Sequence, residues 1–228
     1  VLLLSFLIII VFWGAFEQAG GLMNIYTLEK VDRVIFGMEI PASVFQSFNP
    51  LFIMIFGTTV GGFWIWWQKK GREASSLFKM AIGTIIMGTG FLMMTGAAMD
   101  SGSADDGKAA LFWIVAAYLL HTIGELCASP VALSFITKLA PAKYASIMMG
   151  VYFASTGFGN KVAGLLGEFA QEAGEMEIFT GIFVFTVLFG LLLLAFLKKL
   201  KALTHGAEDI ADSHHDETEG FEIADKEA

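Results

Sequence analysis

The stretch LLLSFLIIIVFWGAFEQAGGLMNIY (residues 2–26) decides the fold class. Across its length the only charged residue is Glu17. About twenty apolar residues suffice for a helix to cross the hydrocarbon core of a bilayer, so this run reads as a membrane-spanning helix. A lone carboxylate at such depth is expensive, roughly 2.5–3.5 kcal/mol for Asp at a helix centre. It persists where it faces a cavity or a partner and handles protons, ions or substrate. A second one, Glu125, sits in another long apolar run between Leu111 and Leu139.

The rest of the chain fits this reading. Only 16% of its 228 residues are charged and the mean hydropathy is +0.68, whereas a soluble domain would spread charge along every amphipathic helix. Six spans are expected, at about 2–26, 42–68, 77–99, 109–138, 144–170 and 178–197, because backbone groups in lipid must be satisfied within the segment. The segment 27–40 is expected to form a short interfacial helix or a loop. The fold class is therefore all-α, a polytopic six-helix membrane bundle over residues 1–203. An acidic tail over 204–228 is expected to be disordered.

The net charge of −8 is a property of that tail. Residues 207–228 hold nine of the 22 acids and one of the 14 bases, so the bundle itself is balanced. The acidic balance thus carries no hint of a basic partner, and no basic patch interleaved with aromatics suggests nucleic acid. His205, His214 and His215 lie among tail acids, where a solvated tail outweighs weak metal binding. Cys127 is the single cysteine, which excludes an internal disulfide and a cysteine-based metal site.

Loop charges alternate. Lys69, Lys70, Arg72, Lys79, Lys138, Lys143, Lys198, Lys199 and Lys201 fall on one side; Lys30, Arg33, Lys108 and the acidic loops 100–106 and 171–177 fall on the other. The positive-inside rule places the first group, and with it the C-terminus, in the cytoplasm. The first run has no basic leader and no small-residue cleavage site and is too long for a signal peptide. It reads as a helix cut near its start in a chain that is part of a larger protein. A bacterial inner membrane is the expected location.

Four helices carry polar groups. On the first, Glu17 and Gln18 are flanked by Gly14, Ala15, Ala19, Gly20 and Gly21, small residues that permit close approach, and Gly20–Gly21 permits a bend. The alternative is a glutamate locked in a static interhelical bond; the membrane setting favours function. The second opens with FQSFNP (residues 45–50), where Gln46 and Asn49 share a face beside Pro50, which suits a ligand-facing bend or a plain kink. In the fourth, His121, Glu125 and Ser129 recur at i, i+4 and i+8 as one polar stripe before Pro130. His121 reads as a neutral histidine near the outer interface. The fifth carries Gly150, Gly157, Gly159 and Gly164 with Tyr152, and also Lys161, which is expected to snorkel or to pair with Glu168. Neither a phosphate-cradling glycine loop nor an HExxH motif occurs, so an enzyme is not expected and no cofactor or metal is implied.

The segments FWGAFEQ (12–18), FQSFNPLF (45–52), GELCASPVALSFITKLAP (124–141) and MMGVYFASTGFGNKVAG (148–164) resemble, in order and spacing, the second half of the proton-dependent oligopeptide transporter (POT) family of the major facilitator superfamily. The resemblance covers residues 1–200 and makes the six spans helices 7 to 12. It implies proton-coupled symport of di- and tripeptides by alternating access between this bundle and an N-terminal six-helix bundle. Glu17 matches the helix 7 glutamate, implicated in proton coupling and in pairing with a helix 1 arginine. Glu125 matches the helix 10 glutamate, implicated in binding the peptide amine and in gating with a helix 4 lysine. Gln18, Asn49 and Ser129 match cavity-lining polar positions, and Tyr152 stands where several members carry a tryptophan. The alternative is a proton- or ion-coupled carrier of another solute such as nitrate; Glu125 favours a substrate bearing a cationic amine.

Overall fold

A computed structural model describes residues 2–204. The described residues form long helices joined by short connections. In order they are α1 (Leu2–Phe16), α2 (Leu22–Lys30), α3 (Phe48–Lys69), α4 (Ser76–Ser103), α5 (Leu111–Leu139), α6 (Ala145–Ala173) and α7 (Glu175–Ala202). Between α2 and α3 lie a two-stranded hairpin, β1 (Val34–Ile35) and β2 (Met38–Glu39), and a 3-10 turn over Ala42–Ser47. The tail histidines and acids beyond residue 204 lie outside the described residues. α1 with α2, the 3-10 turn with α3, and α4, α5 and α7 are five segments apolar and long enough to cross a membrane. α6 has 29 residues but carries Lys161, Glu168 and five glycines. Length alone gives it a span of about 40 Å, enough to cross. The chain is an integral, multi-pass membrane protein.

The first span is not one helix over 2–26. α1 stops at Phe16, Glu17–Ala19 make a 3-10 turn, and the helix resumes at Leu22 and runs on to Lys30. The cause is local: Gly20 and Gly21 are poor helix formers, and the Gly20 N–H donates to Glu17 O in the tighter i→i−3 pattern. A Cβ at either glycine would meet nothing closer than Glu17 O at 3.8 Å, so their role is backbone freedom rather than close packing. The segment 27–40 likewise differs from expectation. α2 occupies its start, and β1 pairs with β2 in the register Val34↔Glu39 and Ile35↔Met38. The hairpin turns through Phe36 and Gly37, both at positive φ, as a two-residue turn requires.

Pro50 does not kink a helix. It sits in the first turn of α3, where a missing N–H removes no ladder bond. The helical winding begins before it, in the 3-10 turn that runs straight into α3. Pro130, by contrast, lies within α5, which continues through it.

The centre of the bundle is the α4–α5–α7 layer. α4 and α5 touch backbone to backbone: a Cβ at Gly83 would lie 2.7 Å from Gly124 O, and one at Gly124 2.6 Å from Gly83 O. α7 closes on α4 through Gly88 against Thr186 and Gly190 against Ile85. α1 crosses α6 where Gly159 meets Trp13 and Gly14. Two apolar clusters fill the bundle. One holds Tyr26, Phe91, Tyr118 and Phe179; the other, toward the basic end, holds Ile8, Leu77, Phe135 and Tyr152.

Candidate functional site

The break at residues 17–21 opens backbone groups that a continuous helix would satisfy, and two side chains close on them. The Tyr118 hydroxyl of α5 donates to Ala19 O at 3.1 Å. Gln18, fully buried, donates from Nε2 to Gly14 O at 3.2 Å and across to Ala163 O of α6 at 3.0 Å. The break is therefore pinned from both flanks, and Gln18 uses its amide nitrogen to hold it.

Glu17 is half-buried and lines two cavities, one on each side of the break. The smaller, about 180 Å³, is shared with Gln46, Asn49, Tyr118 and His121. The larger, about 380 Å³, lies against α6 and takes in Gln18, Asn160 and Glu168. A carboxylate placed by a helix break at the edge of open space can exchange a proton or meet a cation without unfolding its surroundings.

Glu125 is reached through Asn49. Asn49 Nδ2 donates to Glu125 Oε2 at 2.8 Å and to Thr122 Oγ1 at 3.2 Å; Thr122 in turn donates to Tyr118 O at 2.8 Å. Asn49 thus ties α3 to α5 through two acceptors on one helix face. Gln46 and Asn49 do share a face, on the cavity beside Glu17. The two glutamates are thus connected by one cavity and one amide.

The face of α5 that carries His121, Glu125 and Ser129 also carries Tyr118 and Thr122. The members joined by hydrogen bonds to α1 and α3 are Tyr118, Thr122 and Glu125. His121 is not near the outer interface. It is 1% exposed, packed on Phe91 (ring centroids 4.7 Å apart) and Phe16, and accommodated by Gly90, where a Cβ would lie 2.4 Å from its Cδ2. Both ring nitrogens lack a protein partner among the described residues, while the ring borders the cavity next to Glu17. Its position ten residues inside α5 places it at bilayer depth, where only the bundle interior can shelter an imidazole.

Ser129 is half-buried one turn beyond Glu125. Tyr152 is 6% exposed in the apolar cluster at the basic end and borders neither cavity beside Glu17. Lys161 is exposed on α6, and no ion pair joins it to Glu168 among the described residues. Thr122 and Tyr118 escaped sequence reasoning. The signal available was their spacing with Glu125, which puts all three on one helix face.

Comparison with known proteins agrees with this architecture. The profile of the POT family matches residues 1–182. The chain is 38% identical over 156 residues to the peptide transporter YePEPT of Yersinia enterocolitica, covering 68% of this chain and 30% of that protein. It is 30% identical over 203 residues to a di-/tripeptide transporter of Lactococcus lactis, covering 87% of this chain and 40% of that one. Among solved structures it is similar to a peptide transporter POT in complex with sulfate, with a TM-score of 0.77 and 29% identity over 86% of this chain and 39% of that one. The chain therefore spans less than half the length of these relatives.

Proposed function

Because the chain belongs to the POT family, we propose that it is the C-terminal six-helix half, helices 7 to 12, of a proton-coupled symporter of di- and tripeptides. It works by alternating access against an N-terminal six-helix bundle. The relatives are transporters by name, and a membrane carrier rather than an enzyme is the reading that the site chemistry supports. The observation that carries it is Glu17 at the helix break, sharing a cavity with the Asn49 that holds Glu125.

In this reading Glu17 and Glu125 are the proton-coupling pair, and Glu125 also receives the peptide amine. Asn49 orients the Glu125 carboxylate. Ser129, one turn further, contacts the peptide from the same helix. Gln18 fixes the break. Tyr152 acts from the apolar cluster at the basic end rather than by touching the peptide. A carboxylate facing a cation in the opposite bundle loses that attraction when it is protonated, so proton binding favours opening of the gate that the pair closes. The basic end faces the cytoplasm of a bacterial inner membrane, and the tail beyond residue 203 lies there too.

The test is uptake of a labelled dipeptide into liposomes holding the full-length parent under an imposed pH gradient. Uptake should require the gradient and be competed by dialanine but not by nitrate. It should fall by about tenfold or more in Glu17→Gln and in Glu125→Gln, the scale of a lost charge-assisted contact. Near-normal gradient-driven uptake by both variants would overturn the assignment of the pair. Competition by nitrate instead of dialanine would overturn the substrate class.

A further inference from the structure

α6 carries a lysine at a depth where lipid does not tolerate one. Lys138, near the end of α5, and Lys201, near the end of α7, line one cavity, so both helices end on the same side of the membrane. α6 connects the end of α5 to the start of α7 and therefore has to cross. Along it Lys161 lies about 24 Å from Ala145 and about 18 Å from Ala173. That is about three turns or more from either end, whereas snorkelling serves lysines near helix ends. The direction of the side chain is set by the α1 contact. Gly14 of α1 meets Gly159 and Val162, and Gln18 donates to Ala163 O, so this side of α6 faces α1. At about 100° per residue Lys161 is turned roughly 150° from the mean direction of those three. It is exposed, and no ion pair joins it to another described residue. Gly150, Gly157 and Gly164 recur every seven residues within about 60° of Lys161 on the same outward face. A Cβ at any of the three would meet nothing within 4 Å.

We propose that this face of α6 seats a helix of the N-terminal bundle, and that the seated helix presents a carboxylate which pairs with Lys161. A lysine in mid-membrane faces protein or a cavity, not lipid, and takes an acid as its partner. Glycines above and below it let a second backbone come close, which suits a helix rather than a solute. A second copy of this chain fits less well. A twofold axis along the membrane normal would set Lys161 level with its own equivalent, like charge against like. Glu168, the acid on the same face, lies about 10 Å further along the helix and so does not meet Lys161 across such an axis. The matched part of the chain is 30% of one relative and 40% of another, which leaves the proposed N-terminal bundle as the source of the helix. The assignment rests on reading the chain as one half of a two-bundle carrier. It is separate from Glu17 and Glu125, since Lys161 lines neither cavity beside Glu17.

Zero-length cross-linking of the purified full-length parent tests this. Dicyclohexylcarbodiimide activates carboxyl groups within a membrane, so that an amine in contact with one closes an amide bond. Peptide mapping should join Lys161 to an Asp or Glu of the N-terminal half. Gly157→Leu, which touches nothing in this bundle but stands in the way of a close helix, should cut the yield of that link at least about fivefold. Lys161→Gln removes a charge from the membrane and so does not impede insertion. It should lower gradient-driven dipeptide uptake about tenfold, while Lys161→Arg should keep at least about half of it. A link from Lys161 to Glu17 or Glu168, a link between two copies, or a Lys161 that forms no link would overturn the pairing. So would an amide between Lys161 and added dialanine, which would make it a substrate contact instead. A yield unchanged by Gly157→Leu would overturn the glycine face as the seat. A link to the N-terminal half in a protein that carries no dipeptide would leave the pairing standing and overturn the peptide reading instead.

Discussion

α4 and α3 are neighbours in sequence and of similar apolar character, yet they are packed in opposite ways. In its most apolar stretch α4 is 56% buried, while the corresponding figure for the span containing α3 is 6%. α4 meets α5 and α7 through glycines at contact distances that leave no room for a methyl group. α3 buries Trp64 and leaves Met54, Ile55 and Ile65 exposed. The difference lies in what joins each helix to its neighbours. α4 is held by backbone-close packing over its whole length, the dominant attraction between helices in lipid. α3 is held to α5 by the Asn49 amide near one end and packs Trp64 on Phe78 of α4 near the other. α4 thus forms the middle of this bundle, whereas α3 keeps one face turned outward from it.

The α4–α5 contact is where a substitution should cost most. Gly124→Val places atoms where Gly83 O and Met87 already are, at 2.6–2.7 Å. We expect it to lower stability by about 3 kcal/mol, the upper range of overpacking costs. Gly61→Val on α3, where nothing lies within 4 Å, should change stability by less than about 0.5 kcal/mol. Thermal unfolding of the full-length protein in detergent checks both, and equal losses would mean that α3 is as tightly built in as α4. Gly90→Ala is the intermediate case. Its Cβ would press on the His121 ring and on Ala117 O, so a loss of about 1–2 kcal/mol is expected.

Asn49→Leu tests what attaches α3. It removes the donor to Glu125 and Thr122 while keeping a side chain of similar size. The expected cost is about 1–2 kcal/mol in stability. Hydrogen exchange should rise along the first turns of α3 and stay unchanged in α4. Uniform exchange across both helices would show that the amide is not what attaches α3.

How far the sequence carried the reading follows from the same contrast. Features set by a few consecutive residues were legible. The run 2–26 announced a span, Gly20–Gly21 announced a bend, and the isolated charge of Glu17 marked the place worth attention. Features set by how helices rotate against one another were not. Spacing alone puts Tyr118, His121, Thr122 and Glu125 on one face of α5. Which partners they meet depends on Gly83 and Gly124 seating α5 on α4 and on the break at residues 17–21 presenting Ala19 O, and no periodicity within α5 encodes that. Pro50 misled for a different reason: a proline signals the end of a ladder, and whether it kinks a helix or begins one depends on residues 42–47 winding as a 3-10 turn. Tyr152 was given a cavity position by resemblance, and its packing with Ile8 of α1 and Phe135 of α5 follows from how α6 sits against both helices.

The smallest effect is expected where the α3–α4 connection meets α7. Partial burial of Glu73 would raise its carboxyl, but hydrogen bonding from Ser75 and the nearby Lys201 ammonium outweigh it and hold the group below the usual carboxylate range. A depressed carboxyl contributes stability that is present above its unfolded value and is lost as the pH falls through its folded value. Glu73→Gln should therefore narrow the stability difference between pH 6 and pH 3 slightly, by less than about 0.5 kcal/mol for a contact this exposed to solvent. Lys201→Gln should remove part of the same difference, and added salt should mimic it, because an exposed pair is screened within a Debye length. If α3 is attached mainly through Asn49, neither substitution will alter hydrogen exchange at its first turns. An increase there would mean that the loop at the far end of α3 also holds the helix in place.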